Sequence, residues 1–110
     1  MRKIEMNMNA AIMLGRDWKQ ANTETFHWYR LHDDGSESEA IDVFLHGHHI
    51  ATVWGICNGV ETPRDQWTVE VNTNTLRAWP TRTTMSRLRA LGVDVCARKG
   101  EVLLNGETIL

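Results

Sequence analysis

Ile41-Asp42-Val43-Phe44-Leu45-His46-Gly47-His48-His49-Ile50-Ala51-Thr52-Val53-Trp54 is the stretch that decides the fold. Ile41, Val43 and Leu45 alternate with Asp42, Phe44 and His46, and a turn around Gly47-His48 returns the chain through Ile50, Thr52 and Trp54. Period-two alternation gives a strand one buried and one wet face. Two such runs flanking a glycine turn predict a β-hairpin over 41–54.

Upstream, Thr23 to Leu31 concentrates Thr, Phe, His, Trp and Tyr, types that fit a pleated surface. His32 to Glu39 holds acids, serines and Gly35 with no apolar face, so 32–40 reads as a solvated connection. Ala11, Leu14 and Trp18 recur at helical spacing between Asn9 and Gln20, capped by Asn7 or Asn9. Residues 1–8 are polar and Met-rich and read as flexible, with Met1, Met6 and Met8 all eligible as starts.

Downstream, residues 55–66 are a loop by composition. Trp67, Val69 and Val71 then alternate with Thr68, Glu70 and Asn72 and predict a central strand over 67–72, its indole in the core. Residues 72–80 read as a turn region. Thr81, Thr83 and Thr84 offer oxygens to the orphan amides of a helix over about 83–91, which Gly92 ends. Lys99-Gly100 predicts a second hairpin over 93–104, with Cys96 in the core, and Asn105-Gly106 turns the chain again. The expected architecture is therefore α+β: one domain over 1–110, built on a curved antiparallel sheet of about five to six strands. A short helix lies in the C-terminal half and another near the N-terminus.

The totals exclude several classes. With 42% apolar and 24% charged residues the chain is not a disordered one. Two cysteines are too few for a disulfide scaffold, so Cys57 and Cys96 are expected as free, buried thiols. No apolar run approaches the ~18 residues of a membrane span, and Ile4-Glu5-Met6-Asn7 lacks the apolar core of a secretory signal. A net charge of -2 conceals an asymmetry: residues 1–75 hold 6 Lys/Arg against 11 Asp/Glu, and residues 76–110 hold 6 against 3.

His46, His48 and His49 invite a metal reading, because His46 and His48 fall on one face of the expected hairpin. Their spacing matches no finger or helix-borne pair, and the reading preferred is of polar turn residues with no metal and no cofactor. No Ser or Cys stands in a nucleophile motif, no carboxylate pair is set for acid–base work, and no glycine loop cradles phosphate. The expectation is a protein that is not an enzyme. Five tryptophans are many for this length; three or four are expected to fill the core and Trp79, beside Arg77 and Pro80, to be exposed.

Leu45-His46-Gly47, Trp67 to Asn72, the stretch from Trp79 to Leu88, and Arg98-Lys99-Gly100 together resemble small uncharacterised proteins of tailed bacteriophages. Those share a Leu-His-Gly strand end and a Trp-x-Thr-x-Thr-Thr-x-x-Arg-Leu helix start. The resemblance covers about residues 22–105 and departs in the loops at 32–40 and 55–66. It implies a stoichiometric accessory protein that binds and inhibits a bacterial host protein in the host cytoplasm, such as a nucleic-acid-handling defence complex. Asp33, Asp34, Glu37, Glu39 and Asp42, with Trp79, are the expected partner-binding set. The alternative is a nucleic-acid-binding protein using exposed Trp with Arg77, Arg82, Arg87 and Arg89, where Arg87 either joins that surface, lies over the sheet or pairs with an acid. No membrane partner is expected, and exposed strand edges make a homodimer an open option.

Overall fold

A computed structural model describes all 110 residues. The decisive hairpin is present as β3 (Glu37–Leu45) and β4 (His48–Trp54). Its loop is His46-Gly47, both at positive φ (52° and 78°), one residue earlier than the sequence reading placed it. Two residues of that hand match the twist of the flanking strands, which is why glycine stands second. Lys99-Gly100 and Asn105-Gly106 repeat the device with the same signs of φ.

With β1 (Trp18–Gln20), β2 (Thr23–Leu31) and β5 (Thr68–Val71), the hairpin forms a five-stranded antiparallel meander in the order β1-β2-β3-β4-β5. The strand expected at the centre is thus an edge, paired only with β4. A second antiparallel sheet holds β6 (Val95–Arg98), β7 (Glu101–Leu104) and β8 (Glu107–Thr108). The predicted single sheet is therefore split in two, with Gly92 and Val93 leading from the last helix into the smaller one.

Three helices complete the fold: α1 (Lys3–Met13), α2 (Thr73–Ala78) and α3 (Arg82–Ala90). Helix α3 starts as expected, with Thr81 Oγ1 accepting from the Thr84 amide at 3.1 Å. Helix α2 occupies the predicted turn region, because the Asn72 side chain accepts from the Thr75 amide and nucleates it. Helix α1 corrects the reading of the N-terminus. Residues 3–8 are helical, and Glu5, Met8, Ala11 and Ile12 form its buried stripe. A carboxylate on the apolar face hid that periodicity. The helix stops where Gly15 takes φ 61°, so Trp18 belongs to a strand.

All three helices lie on one face of the main sheet. Ile41, Val43 and Leu45 of β3 and Ile50, Ala51 and Val53 of β4 meet Met8, Ile12, Leu76, Met85 and Leu88 in a single core cluster that also includes Val95 and Val102. Strand β4 departs from strict alternation there. Val43 pairs with Ala51 but Phe44 pairs with His49, so Ile50 is an extra residue. Both Ile50 and Ala51 point into the core through this bulge, and His49 emerges on the opposite face. No tryptophan is fully buried: Trp18 and Trp67 are half-buried and pack against the core cluster, Trp28 and Trp54 are half-buried on the other face, and Trp79 is exposed. Cys96 and Cys57 are free but exposed rather than buried.

Candidate functional site

The face of the main sheet turned away from the helices is read off the strand register. Glu24, Phe26, Trp28 and Arg30 of β2 lie beside Ser38, Ala40, Asp42 and Phe44 of β3. Those in turn lie beside Trp54, Thr52 and His49 of β4, with Thr68 and Glu70 of β5 at the edge. None of these residues belongs to the core cluster beneath the helices. Four aromatic side chains stand on a sheet face that no helix covers.

Their packing follows from what separates them. Ala40 lies between Trp28 and Trp54 in register. Its methyl group is too small to keep the indoles apart, so they meet edge to face at 5.4 Å and 82° and bury it completely. Phe26 and Phe44 meet in the same manner at 6.0 Å and 86°. Phe26 remains 46% exposed. Trp54 Nε1 donates to Glu70 Oε2 at 2.9 Å, whereas the covered Trp28 indole N–H has no acceptor.

Polar groups occupy the middle of the face. Thr52 Oγ1 donates to Asp42 Oδ1 at 2.7 Å. His49 Nε2 lies 2.9 Å from Thr52 Oγ1 and 3.4 Å from Asp42 Oδ1, while its Nδ1 meets the Asn72 amide at 3.0 Å. Phe26, Trp28, Tyr29, Arg30, Asp42 and Phe44 line most of a shallow recess of about 620 Å³. The arrangement offers stacking surfaces around a carboxylate, the composition of a contact patch.

The expected partner-binding residues are dispersed. Asp33 and Asp34 lie exposed in the β2–β3 turn, which is tighter than predicted because the strands run on to Leu31 and resume at Glu37. Asp34 is spent on that turn: its Oδ1 accepts from the Ser36 hydroxyl at 2.6 Å and the Ser36 amide at 2.9 Å, which lowers its carboxyl pKa. Glu37 lies on β3 and accepts a hydrogen bond from Tyr29, raising that phenol. Glu39 belongs to the helix side of the sheet, where His27 Nε2 meets its Oε1 at 2.7 Å and the Asn58 amide donates at 3.1 Å. Of these five acids Asp42 alone is on the aromatic face. Trp79 is 48% exposed but stacks on His48 at 4.1 Å in another neighbourhood, over a recess of about 220 Å³ lined by Leu45, Ile50 and Thr84.

The four arginines do not form one basic surface either. Arg87 is buried, donating to Glu5 Oε2 at 2.8 Å and to Thr23 Oγ1 at 3.0 Å. It pairs with an acid, and its place in a contact surface is overturned. Arg77 Nε and Arg89 Nε donate to the carbonyls of Ile109 and Val95. Arg82 is exposed.

The histidines diverge as well. His46 lies in the turn, 3.4 Å from Asn22, and does not share a strand face with His48. No three His, Cys, Asp or Glu side chains are grouped to hold a metal ion. Cys57 lies against Glu39, and the hydrogen bond to that carboxylate, together with desolvation, pushes the thiol above its ordinary value. A thiol so held keeps its proton, the reverse of what a nucleophile needs. The loop 55–66 is fastened to the end of α1: the Gly59 amide donates to Leu14 O and the Thr62 amide to Met13 O, both at 2.8 Å.

A sheet covered by helices on one face and carrying four aromatics on the other, Phe26 exposed and the rest half-buried, defines an open-faced α+β protein. The chain matches the Kyanoviridae Gp96 protein family over residues 1–109 and belongs to it. It is a phage protein. No curated protein and no solved structure matches it. No helix is long and apolar enough to cross a membrane.

Proposed function

We propose that this phage protein is a non-catalytic accessory factor that binds a bacterial host protein in the host cytoplasm and inhibits it by occupancy. The observation that carries this reading is the open face of the main sheet, where Phe26, Trp28, Phe44 and Trp54 stand together. Contiguous exposed apolar surface on a small protein marks an interaction site. Aromatic anchors ringed by polar groups are the usual composition of binding hot spots. The face carries Glu24, Asp42 and Glu70 against Arg30 and Lys19, the neighbour of Glu24 on β1. An acidic balance favours a basic partner, such as a nucleic-acid-handling defence complex, and opposes direct contact with phosphates. With Arg87 buried and Arg77 and Arg89 engaged with backbone, the nucleic-acid reading stands second.

The test is capture from a bacterial host lysate by the tagged wild-type protein, Phe26→Ser and the double variant Asp33→Lys/Asp34→Lys. A host protein retained by wild type and by the turn variant, and lost with Phe26→Ser, supports the open face. Its loss with the turn variant instead moves the contact to the β2–β3 turn. A wild-type protein that retains no host protein, while oligonucleotides quench its tryptophan emission at low salt, overturns the reading in favour of nucleic acid.

A further inference from the structure

Asp42 has an acceptor to spare. Both of its protein contacts, from Thr52 Oγ1 at 2.7 Å and His49 Nε2 at 3.4 Å, fall on Oδ1, and Oδ2 receives no donor. The side chain is 28% exposed. Oδ2 is not among the buried polar atoms that lack a partner, so it faces solvent and is open to a donor from outside the chain.

On the β2 side the neighbours of Asp42 are aromatic. Phe26 is directly opposite Asp42 in the β2–β3 register, Trp28 is its diagonal neighbour, and Phe44 follows on the same face of β3. Arg30 shares the recess but forms no ion pair with Asp42. The environment therefore combines one anionic acceptor with ring faces and edges at the height of the sheet surface. A guanidinium satisfies both: its N–H groups donate to carboxylate oxygens while its plane lies against an aromatic ring. An ammonium satisfies the charge but lacks the plane.

We infer that the open face receives an arginine side chain of a basic partner protein, seated on Asp42 between Phe26, Phe44 and Trp28. This rests on the reading of that face as the contact surface and adds the chemistry that the face selects. On the same face Glu24 and Glu70 add two further carboxylates, against Arg30 and the neighbouring Lys19.

The experiment is a titration of the full chain with N-acetyl-arginine methylamide, followed by amide and indole NMR shifts. The uncharged citrulline analogue and N-acetyl-lysine methylamide are run alongside. Shifts confined to Phe26, Asp42, Phe44 and Thr52, absent with citrulline and weaker with lysine, support the inference. So does binding that is about tenfold weaker in Asp42→Asn, the loss expected when a charge-assisted hydrogen bond is removed. Should Asp42→Asn lose its fold, Phe26→Leu removes the stacking surface at an exposed position and serves in its place. Dispersed shifts, equal shifts with citrulline, or an unchanged Asp42→Asn overturn it. Where a captured host protein is lost with Phe26→Ser but kept by Asp42→Asn, the arginine seat fails and the contact face stands. Where it survives both, the contact face itself fails.

Discussion

Arg87 Nη1 donates to Glu5 Oε2 at 2.8 Å, joining α3 to a helix that lies 82 residues earlier in the chain. Both side chains are almost wholly buried, at 3–4% exposure. Ser86 Oγ and Thr23 Oγ1 join them, the first donating to Glu5 at 2.6 Å and the second accepting from Arg87. One cluster thereby connects α1, α3 and the start of β2.

Removing one partner of this pair strands a charge in the interior, which costs about 3–5 kcal/mol in comparable sites. We expect Glu5→Leu and Arg87→Met each to show a loss of that order in urea denaturation. The double variant should recover most of it, since apolar side chains of similar volume replace buried ion pairs at little cost. A double variant as unstable as the sum of the singles counts against this view.

The same pair sets an acid dependence. Burial raises the Glu5 carboxyl pKa, but hydrogen bonds from Ser86, Arg87 and the Arg2 amide outweigh it and hold the group below its ordinary value of 4.5. A depressed native value means that the stabilisation is full above the unfolded value and disappears as pH falls through the folded one. Wild type and Glu5→Gln should therefore differ most near neutral pH and converge in acid. Asp34 and Glu39 are also lowered and leave a residual slope in both proteins. Thermal unfolding across that range reads the convergence.

Gly15 is required by space as well as by conformation. A Cβ there would sit 2.4 Å from the Cys57 carbonyl oxygen, and φ is 61°. Backbone atoms cannot yield as a flexible side chain does. We expect Gly15→Ala to cost about 2 kcal/mol or more, with faster amide exchange at Gly59 and Thr62, whose bonds to Leu14 and Met13 run beside it.

Glu39 should protect Cys57 from alkylation. Its carboxylate raises the thiol, so Glu39→Gln ought to increase the rate of carboxamidomethylation at Cys57 several-fold near neutral pH. Peptide mapping separates this site from Cys96. An unchanged rate would mean that access, and not ionisation, governs the thiol.

Ala40 is the spacer that lets two indoles meet. Ala40→Leu should push Trp28 and Trp54 apart and alter the near-ultraviolet circular dichroism while leaving the far-ultraviolet spectrum unchanged. Partner capture should fall with it if the contact face is read correctly.

Much of the framework was legible because local chemistry decided it. Lys99-Gly100 and Asn105-Gly106 predicted their turns, the threonines at 81, 83 and 84 predicted a capped helix start that Thr81 supplies, and Ile41, Val43 and Leu45 predicted a core face. The open aromatic face is less legible for a related reason. Phe26 and Trp28 sit in a run of strand-forming types that assigns them no side, and the bulge at Ile50 moves His49 across the sheet. Helix α1 was misplaced because Glu5 sits on its buried stripe. Nothing local to Glu5 announces Arg87; only the folded chain brings them together.

The main sheet is a meander in which every strand pairs with its neighbour in sequence. Such contacts close over short loops and form early, even while a chain is still leaving the ribosome. Helix α1 obeys a different clock. Met8 and Ile12 pack in a cluster with Met85 and Leu88, and the Glu5 carboxylate meets its guanidinium only after residue 87 has been made. Helix α1, made well before the residues it packs against, is therefore among the last elements to settle. Until it does, its methionines and the inner surface of a half-built sheet stand open to whatever else the infected cell contains.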